Sequence, residues 1–162
     1  MAIVWGGWST AGNNNIRVGI DLSASGTTIT ARYYVEMQYS ATDNQTLTRS
    51  GAVTGSTDYL YAQSGGTKLV YTGTKTGVRG ASYSFSAKVT GVYTGGSPSV
   101  TVSVTVPAAV PSKPVKPSIS SVTATSMRLG LSSAPAANGA SITQYQWQVE
   151  GGPSATSSGL SH

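Results

Sequence analysis

No cysteine occurs in this 162-residue chain, which removes disulfide bonds, thiol nucleophiles and thiolate metal sites from consideration. Histidine is nearly as scarce. The one copy is His162, at a terminus where fraying undercuts any catalytic or ligating arrangement. Charge is thin too: Asp, Glu, Lys and Arg make up 9% of residues, against about 25% in ordinary globular proteins. Amphipathic helices need charged faces and good helix formers, so helices are not expected. No segment approaches the ~20 apolar residues that cross a bilayer, and no membrane insertion is expected. The opening Met-Ala-Ile-Val-Trp-Gly-Gly-Trp has neither the basic region nor the apolar run of a signal peptide. Synthesis and assembly in the cytoplasm follow as the expectation.

What is present favours strands. Gly, Ser and Thr replace the missing charges, and Thr, Val and Tyr suit a pleated, half-buried surface. Residues 17–23 place Val18, Ile20 and Leu22 on one face. Thr28 to Tyr39 sustains a period of two, with Ile29, Ala31, Tyr33, Val35, Met37 and Tyr39 against Thr28, Thr30, Arg32, Tyr34, Glu36 and Gln38. Ala41 to Asn44 reads as a turn, Gln45 to Ser50 as a weaker strand, and Gly51 to Thr57 as a loop or irregular edge. Two short strands then flank a tight hairpin at Ser64-Gly65-Gly66. Tyr83, Phe85, Ala87 and Val89 alternate inward, Gly95 to Pro98 turns the chain, and Val100 to Val106 alternates again. About seven strands in this block have the rhythm of an immunoglobulin-like sandwich.

Pro107 to Pro117 then carries four prolines in eleven residues. Each fixes φ and removes a backbone donor, so a semi-rigid extended linker is expected. The chain is accordingly divided into an N-terminal arm (1–14), an immunoglobulin-like β-sandwich (15–106), a proline-rich linker (107–117) and a shorter β block (118–162). The fold class is all-β.

In the last block, Pro117 to Val122, the Ser-Ala-Pro…Asn-Gly loop, and Ile142-Thr143-Gln144-Tyr145-Gln146-Trp147-Gln148-Val149 resemble the opening half of a fibronectin type III domain. That resemblance covers residues 114–152 and implies a core aromatic at Tyr145 or Trp147. The later strands of the family are not matched, since Ser154 to His162 cannot supply four of them. A longer natural chain is the favoured expectation, with completion by a partner strand or a loosely ordered half-module as the alternatives. The Trp-Gly-Gly-Trp arm, the Arg-Tyr-Tyr-Val strand and the Tyr-Ser-Phe-Ser-Ala-Lys-Val strand, ahead of the prolines, resemble the start of minor tail proteins from phages of actinobacteria. The resemblance implies a virion location and a structural or host-attachment role, with other tail proteins and further copies as partners.

The acids Asp21, Glu36, Asp43, Asp58 and Glu150 are spread along the chain, and only Asp43 and Asp58 are placed to meet as a carboxylate pair. No Ser-His-Asp set, metal-ligand spacing or phosphate-loop lysine occurs. Neither catalysis nor a cofactor nor a metal is expected. The net charge is +5, but the ten Lys and Arg residues, Arg17 and Arg49 among them, are scattered singly. They read as solvated strand faces rather than a nucleic-acid groove, and Lys113 with Lys116 is the one local cluster.

Surface contact is what remains. Trp5 and Trp8 are candidate interface anchors, as is Tyr34 if Tyr33 points inward. The arm either covers its own sandwich or docks on another subunit, and a sugar-stacking platform is a third reading. The function expected is a non-enzymatic tail component, with a carbohydrate-binding adhesin of host-wall glycans or a capsid decoration protein as alternatives.

Overall fold

The computed structural model describes residues 2–11, 14–91, 96–152 and 154–161, and contains strands but no helix among them. Gly12 and Asn13 of the arm, Gly95 of the expected turn, and His162 lie outside those residues. The chain divides into two compact units, Met1–Pro107 and Ala108–His162.

The first unit holds β1 (Val4–Trp5), β2 (Ser9–Ala11), β3 (Asn14–Ser25), β4 (Thr28–Gly51), β5 (Gly55–Thr76), β6 (Ser82–Gly91) and β7 (Ser99–Thr105). They form one antiparallel sheet ordered β1-β3-β4-β6-β7, with β2 also on β3 and β5 on β4. β4 organises it. Its first half pairs with β3, from Ser25↔Thr28 to Ile16↔Met37, and its second half with β6, from Gln45↔Gly91 to Gly51↔Phe85. β5 runs beside almost the whole of β4, from Thr28↔Thr76 to Arg49↔Gly55.

This corrects two sequence expectations. No turn interrupts β4 at Ala41 to Asn44, and Ser64-Gly65-Gly66 is not a hairpin. Gly65 and Gly66 have φ of 77° and 98°, and they face a register shift between Met37 and Ser40. A left-handed glycine serves a bulge as readily as a turn. The reversal is instead at 51–55, bracketed by Gly51 and Gly55 with φ of 90° and 120°.

Alternation places the core. Ile16, Val18, Ile20 and Leu22 of β3, and Ile29, Ala31, Tyr33, Val35 and Met37 of β4, are buried. They meet Leu47, Phe85, Ala87, Val89, Val100 and Val106 from the other half of the sheet. The sheet thus folds into two packed layers, consistent with a β-sandwich. The inward run ends at Met37, because the register shift turns Tyr39 out to 54% exposure.

The arm belongs to this unit. β1 pairs through Val4↔Ile20 and Trp5↔Gly19, β2 through Ser9↔Ile16, and the Gly6 amide donates to the Val18 carbonyl at 2.9 Å. Gly6 also lies against the far layer: a Cβ there would fall 2.2 Å from the Ser99 carbonyl oxygen.

In the second unit β8 (Ser118–Ser120) pairs with β9 (Arg128–Gly130), and β10 (Tyr145–Gln148) with β11 (Ser154–Ser157). β11 is a strand the sequence reading did not give to the tail. Gly151, at φ 74°, sits in the β10–β11 reversal. Residues 108–117 group with this unit: the Ala109 and Ser112 amides donate to the Asn138 and Ala136 carbonyls at 3.0 and 2.9 Å. Asn138 Nδ2 returns a bond to the Val110 carbonyl at 2.8 Å. Prolines at 111, 114 and 117 leave the intervening residues free to donate, so an extended segment still finds partners.

Candidate interaction surface

The outer face of β3 and β4 gathers the three residues singled out in the sequence. Tyr33 is fully buried, so its neighbour Tyr34 stands on the opposite, outer face by strand alternation. Tyr34 pairs with Gly19 on one side and with Leu69 on the other. Trp5 pairs with Gly19 from β1. A Cβ on Gly19 would fall 2.5 Å from Ile3 Cγ2 and 2.6 Å from Trp5 Cε3, so the indole lies in the space a side chain would fill. Glycine within a strand often marks such a close approach.

Arg17 is the hub. Its guanidinium carbon is 4.5 Å from the Trp5 ring centroid and 4.4 Å from that of Trp8. Its Nε and Nη2 each reach Glu36 Oε2 at 2.6 Å, across the Arg17↔Glu36 pair of the ladder. A cation on an aromatic face contributes about 0.5–2 kcal/mol, more as water is excluded. The Glu36 bond fixes the guanidinium plane that both rings use. Thus Trp5 and Trp8 are clasped on their own sheet, yet Trp8 remains 47% exposed and Leu69 48%. Arg32 and Asp21 extend the face with a looser pair at 3.4 Å.

No match is found among protein-family models, curated proteins or solved structures.

The other expected residues are placed as follows. Asp58 accepts from Thr46 Oγ1 at 2.7 Å, while the side chain of Asp43 lies outside what the structure describes. Among the described residues no group of three His, Cys, Asp or Glu side chains is arranged to hold a metal ion. Arg17, expected as a solvated cation, is instead ion-paired and stacked.

Arg49 is a further correction. It is 6% exposed, on the inner face in phase with Gln45 and Leu47. Its guanidinium carbon lies 3.6 Å from the Tyr71 ring centroid, and Nη1 donates to Thr57 Oγ1 at 2.6 Å. Its Nε and the Tyr33 hydroxyl are buried without partners in this structure. Burial pushes the Tyr33 phenol up to about 12, with Arg49 acting to lower it and Tyr71 to raise it. The signal was available in the sequence: position 49 shares the parity of Leu47, so an inward Arg follows from the same alternation that placed the core.

Proposed function

We propose that this protein is a non-enzymatic structural component of a phage virion, a minor tail protein that acts in assembly and host-surface attachment. In this reading the first unit is an immunoglobulin-like sandwich and the second a partial fibronectin type III-like module. One observation carries the contact role: Trp8 and Leu69 stay about half exposed on the face where Glu36 and two indoles immobilise Arg17. Side chains ordered before a partner arrives lose little entropy on docking, and Trp, Tyr and Arg are the types enriched at interface hot spots. The tail location draws on the resemblance of the arm and of the Arg-Tyr-Tyr-Val strand. The partners are other tail proteins and further copies in a symmetric assembly.

Density-gradient fractionation of the source culture, with quantitative mass spectrometry, tests the location. The chain is expected in the tail fraction at a fixed ratio to other tail proteins, and recovery only as free protein overturns the reading. Co-purification with heads instead makes it a capsid decoration protein. Combining Trp8→Ala with Leu69→Ser is expected to abolish incorporation while circular dichroism stays β-rich.

A second reading, a carbohydrate-binding adhesin, is favoured by the same clasp, because a fixed indole beside an Arg–Glu pair offers both a stacking face and hydrogen bonds to a sugar. Binding to host-wall glycan fragments that is lost in Trp8→Ala supports it. Silence of the intact chain across those fragments removes it.

A further inference from the structure

The register of β1, β3, β4 and β5 sorts the outer face of the first unit into three rows. Trp5, Gly19, Tyr34 and Leu69 are successive cross-strand partners. With strands about 4.8 Å apart, this row runs roughly 14 Å across the sheet. It is mostly apolar: the Trp5 indole and Ile3 Cγ2 lie over Gly19, Trp5 and Tyr34 are half-buried, and Leu69 is exposed. On one side of it the next partners are Arg17, Glu36 and Thr67, and on the other Asp21, Arg32 and Thr72. Each flanking row lies about 7 Å from the apolar one, two residues along the strand.

The flanking rows are electrically balanced. Arg17 is bonded to Glu36 at 2.6 Å and Arg32 to Asp21 at 3.4 Å, so β3 and β4 each contribute one charge of either sign. The chain carries +5 overall, yet these four charges sum to zero. Lys68 and Lys75 of β5 are paired with Val35 and Ile29, which are buried, and so belong to the opposite side of the sheet. A charged ligand would have to shed water here without meeting a net counter-charge, which is costly. A neutral ligand carries no such cost.

We propose that this face is a binding lane for a neutral, linear glycan. Its sugar rings stack along the row from Trp5 to Leu69, and its hydroxyls bond to the flanking rows. This ligand class rests on the carbohydrate-binding reading above and narrows it. A pyranose has an apolar C–H face and a rim of hydroxyls, each both donor and acceptor. A carboxylate accepts, a guanidinium donates and a threonine hydroxyl does either. All three stand in each flanking row, one row on either side of the lane. The half-exposed Trp8 indole, 4.4 Å from the Arg17 guanidinium carbon, adds a further ring surface beside it.

The test uses the full chain, isotopically labelled. The neutral probes are maltohexaose, cellohexaose, mannohexaose and chitohexaose, and the charged ones are hexamannuronate and the glucosamine hexamer. At least one neutral hexamer is expected to shift the amides of Gly19, Tyr34 and Leu69. It should bind about tenfold tighter than either charged one and keep its affinity as salt is raised. Two variants at exposed side chains probe the charge balance, since Leu69 is 48% exposed and the Arg32 side chain 41%. Leu69→Lys is expected to weaken neutral binding about tenfold and to turn the preference to hexamannuronate. Arg32→Gln leaves Asp21 without its cation and should turn the preference to the glucosamine hexamer. Silence of the intact chain towards every neutral hexamer overturns the ligand class and the carbohydrate-binding reading together. A charged hexamer bound as tightly as the neutral ones overturns neutrality alone. Neutral binding that shifts other amides, or that survives Leu69→Lys, overturns the lane and leaves the carbohydrate-binding reading standing. Shifts of the same three amides that grow with protein concentration alone make the occupant a second copy and overturn the glycan.

Discussion

Removing the Arg49 charge is expected to be tolerated, whereas removing the ring beneath it is not. Arg49 sits at 6% exposure, and neither ion pair found among the described residues involves it. Desolvating a guanidinium costs several kcal/mol, and the partnerless Nε–H adds about 1–3 kcal/mol. Against that stand a desolvated cation–π contact of about 2 kcal/mol and a charged hydrogen bond to Thr57 of about 1.5–3 kcal/mol. Costs and gains are thus of similar size, about a few kcal/mol each, so the buried charge contributes little net stability. Arg49→Met keeps the apolar stem and its packing, so its stability is expected within about 1 kcal/mol of the parent, or above it. Tyr71→Leu leaves the cation buried with its ring gone. It also removes the tilted Tyr33–Tyr71 contact at 6.0 Å, itself about 0.5–1.5 kcal/mol. A loss of roughly 2–4 kcal/mol is expected. The double variant should lose less than the sum, with a coupling of at least about 1 kcal/mol. Equilibrium urea unfolding, resolved by hydrogen exchange at β4 amides, measures all three. Destabilisation of Arg49→Met by more than about 2 kcal/mol, or strict additivity, refutes the reasoning.

Tyr33 predicts a pH dependence: its folded-state value of about 12 exceeds the ordinary 10.0, so the unfolded chain releases this proton first. Stability from this group is complete below about pH 10 and falls by about 1.4 kcal/mol per pH unit towards pH 12; Tyr33→Phe should flatten that fall in urea midpoints, and an unchanged slope rejects the assignment. Gly19→Ala places a methyl 2.6 Å from Trp5 Cε3, so a loss of about 1–3 kcal/mol and greater quencher access to the tryptophans are expected; unchanged quenching means the clasp does not depend on that space. Trp147→Ala is expected to unfold the second unit, since a core aromatic truncation costs about 3–5 kcal/mol, while exchange protection of β3 and β4 stays as in the parent. Simultaneous loss in both units contradicts their independence.

The core of the first unit was legible because it follows parity alone. Val18 to Leu22, Ile29 to Met37 and Phe85 to Val89 keep one phase, and each phase is buried. Strand length was not legible, because Gly65 and Gly66 read identically as a turn or as a bulge until the partner strand is known. Pairing of residues 40–49 with 55–64 is what decides for the bulge. A proline-rich stretch has the same ambiguity. Composition gives extended backbone over residues 107–117, but whether such backbone spans open solvent or lies along a neighbour depends on hydrogen-bonding partners elsewhere, here Asn138 and its loop.

The interaction surface was half legible for a related reason. Two tryptophans near a terminus announce an anchoring arm, but not what it anchors to. That is set by Gly19 and Arg17, one residue with no side chain and one with a long cationic one, two positions apart on the same strand face. The glycine opens a seat for Trp5, and the arginine offers a planar cation to both rings, held by Glu36 from the next strand. Each of these residues alone looks ordinary for an outward strand position. Their meaning appears only once the ladder sets residue 17 against 36 and residue 19 against both 5 and 34. An arm seated this way is a strand of its own sheet, so in the proposed contact role a partner meets what the seat leaves uncovered: the exposed Trp8 and Leu69 side chains, with half-buried Tyr34 beside Leu69. Substituting those exposed groups therefore probes association, whereas deleting the arm would open the β3 edge and disturb the fold itself.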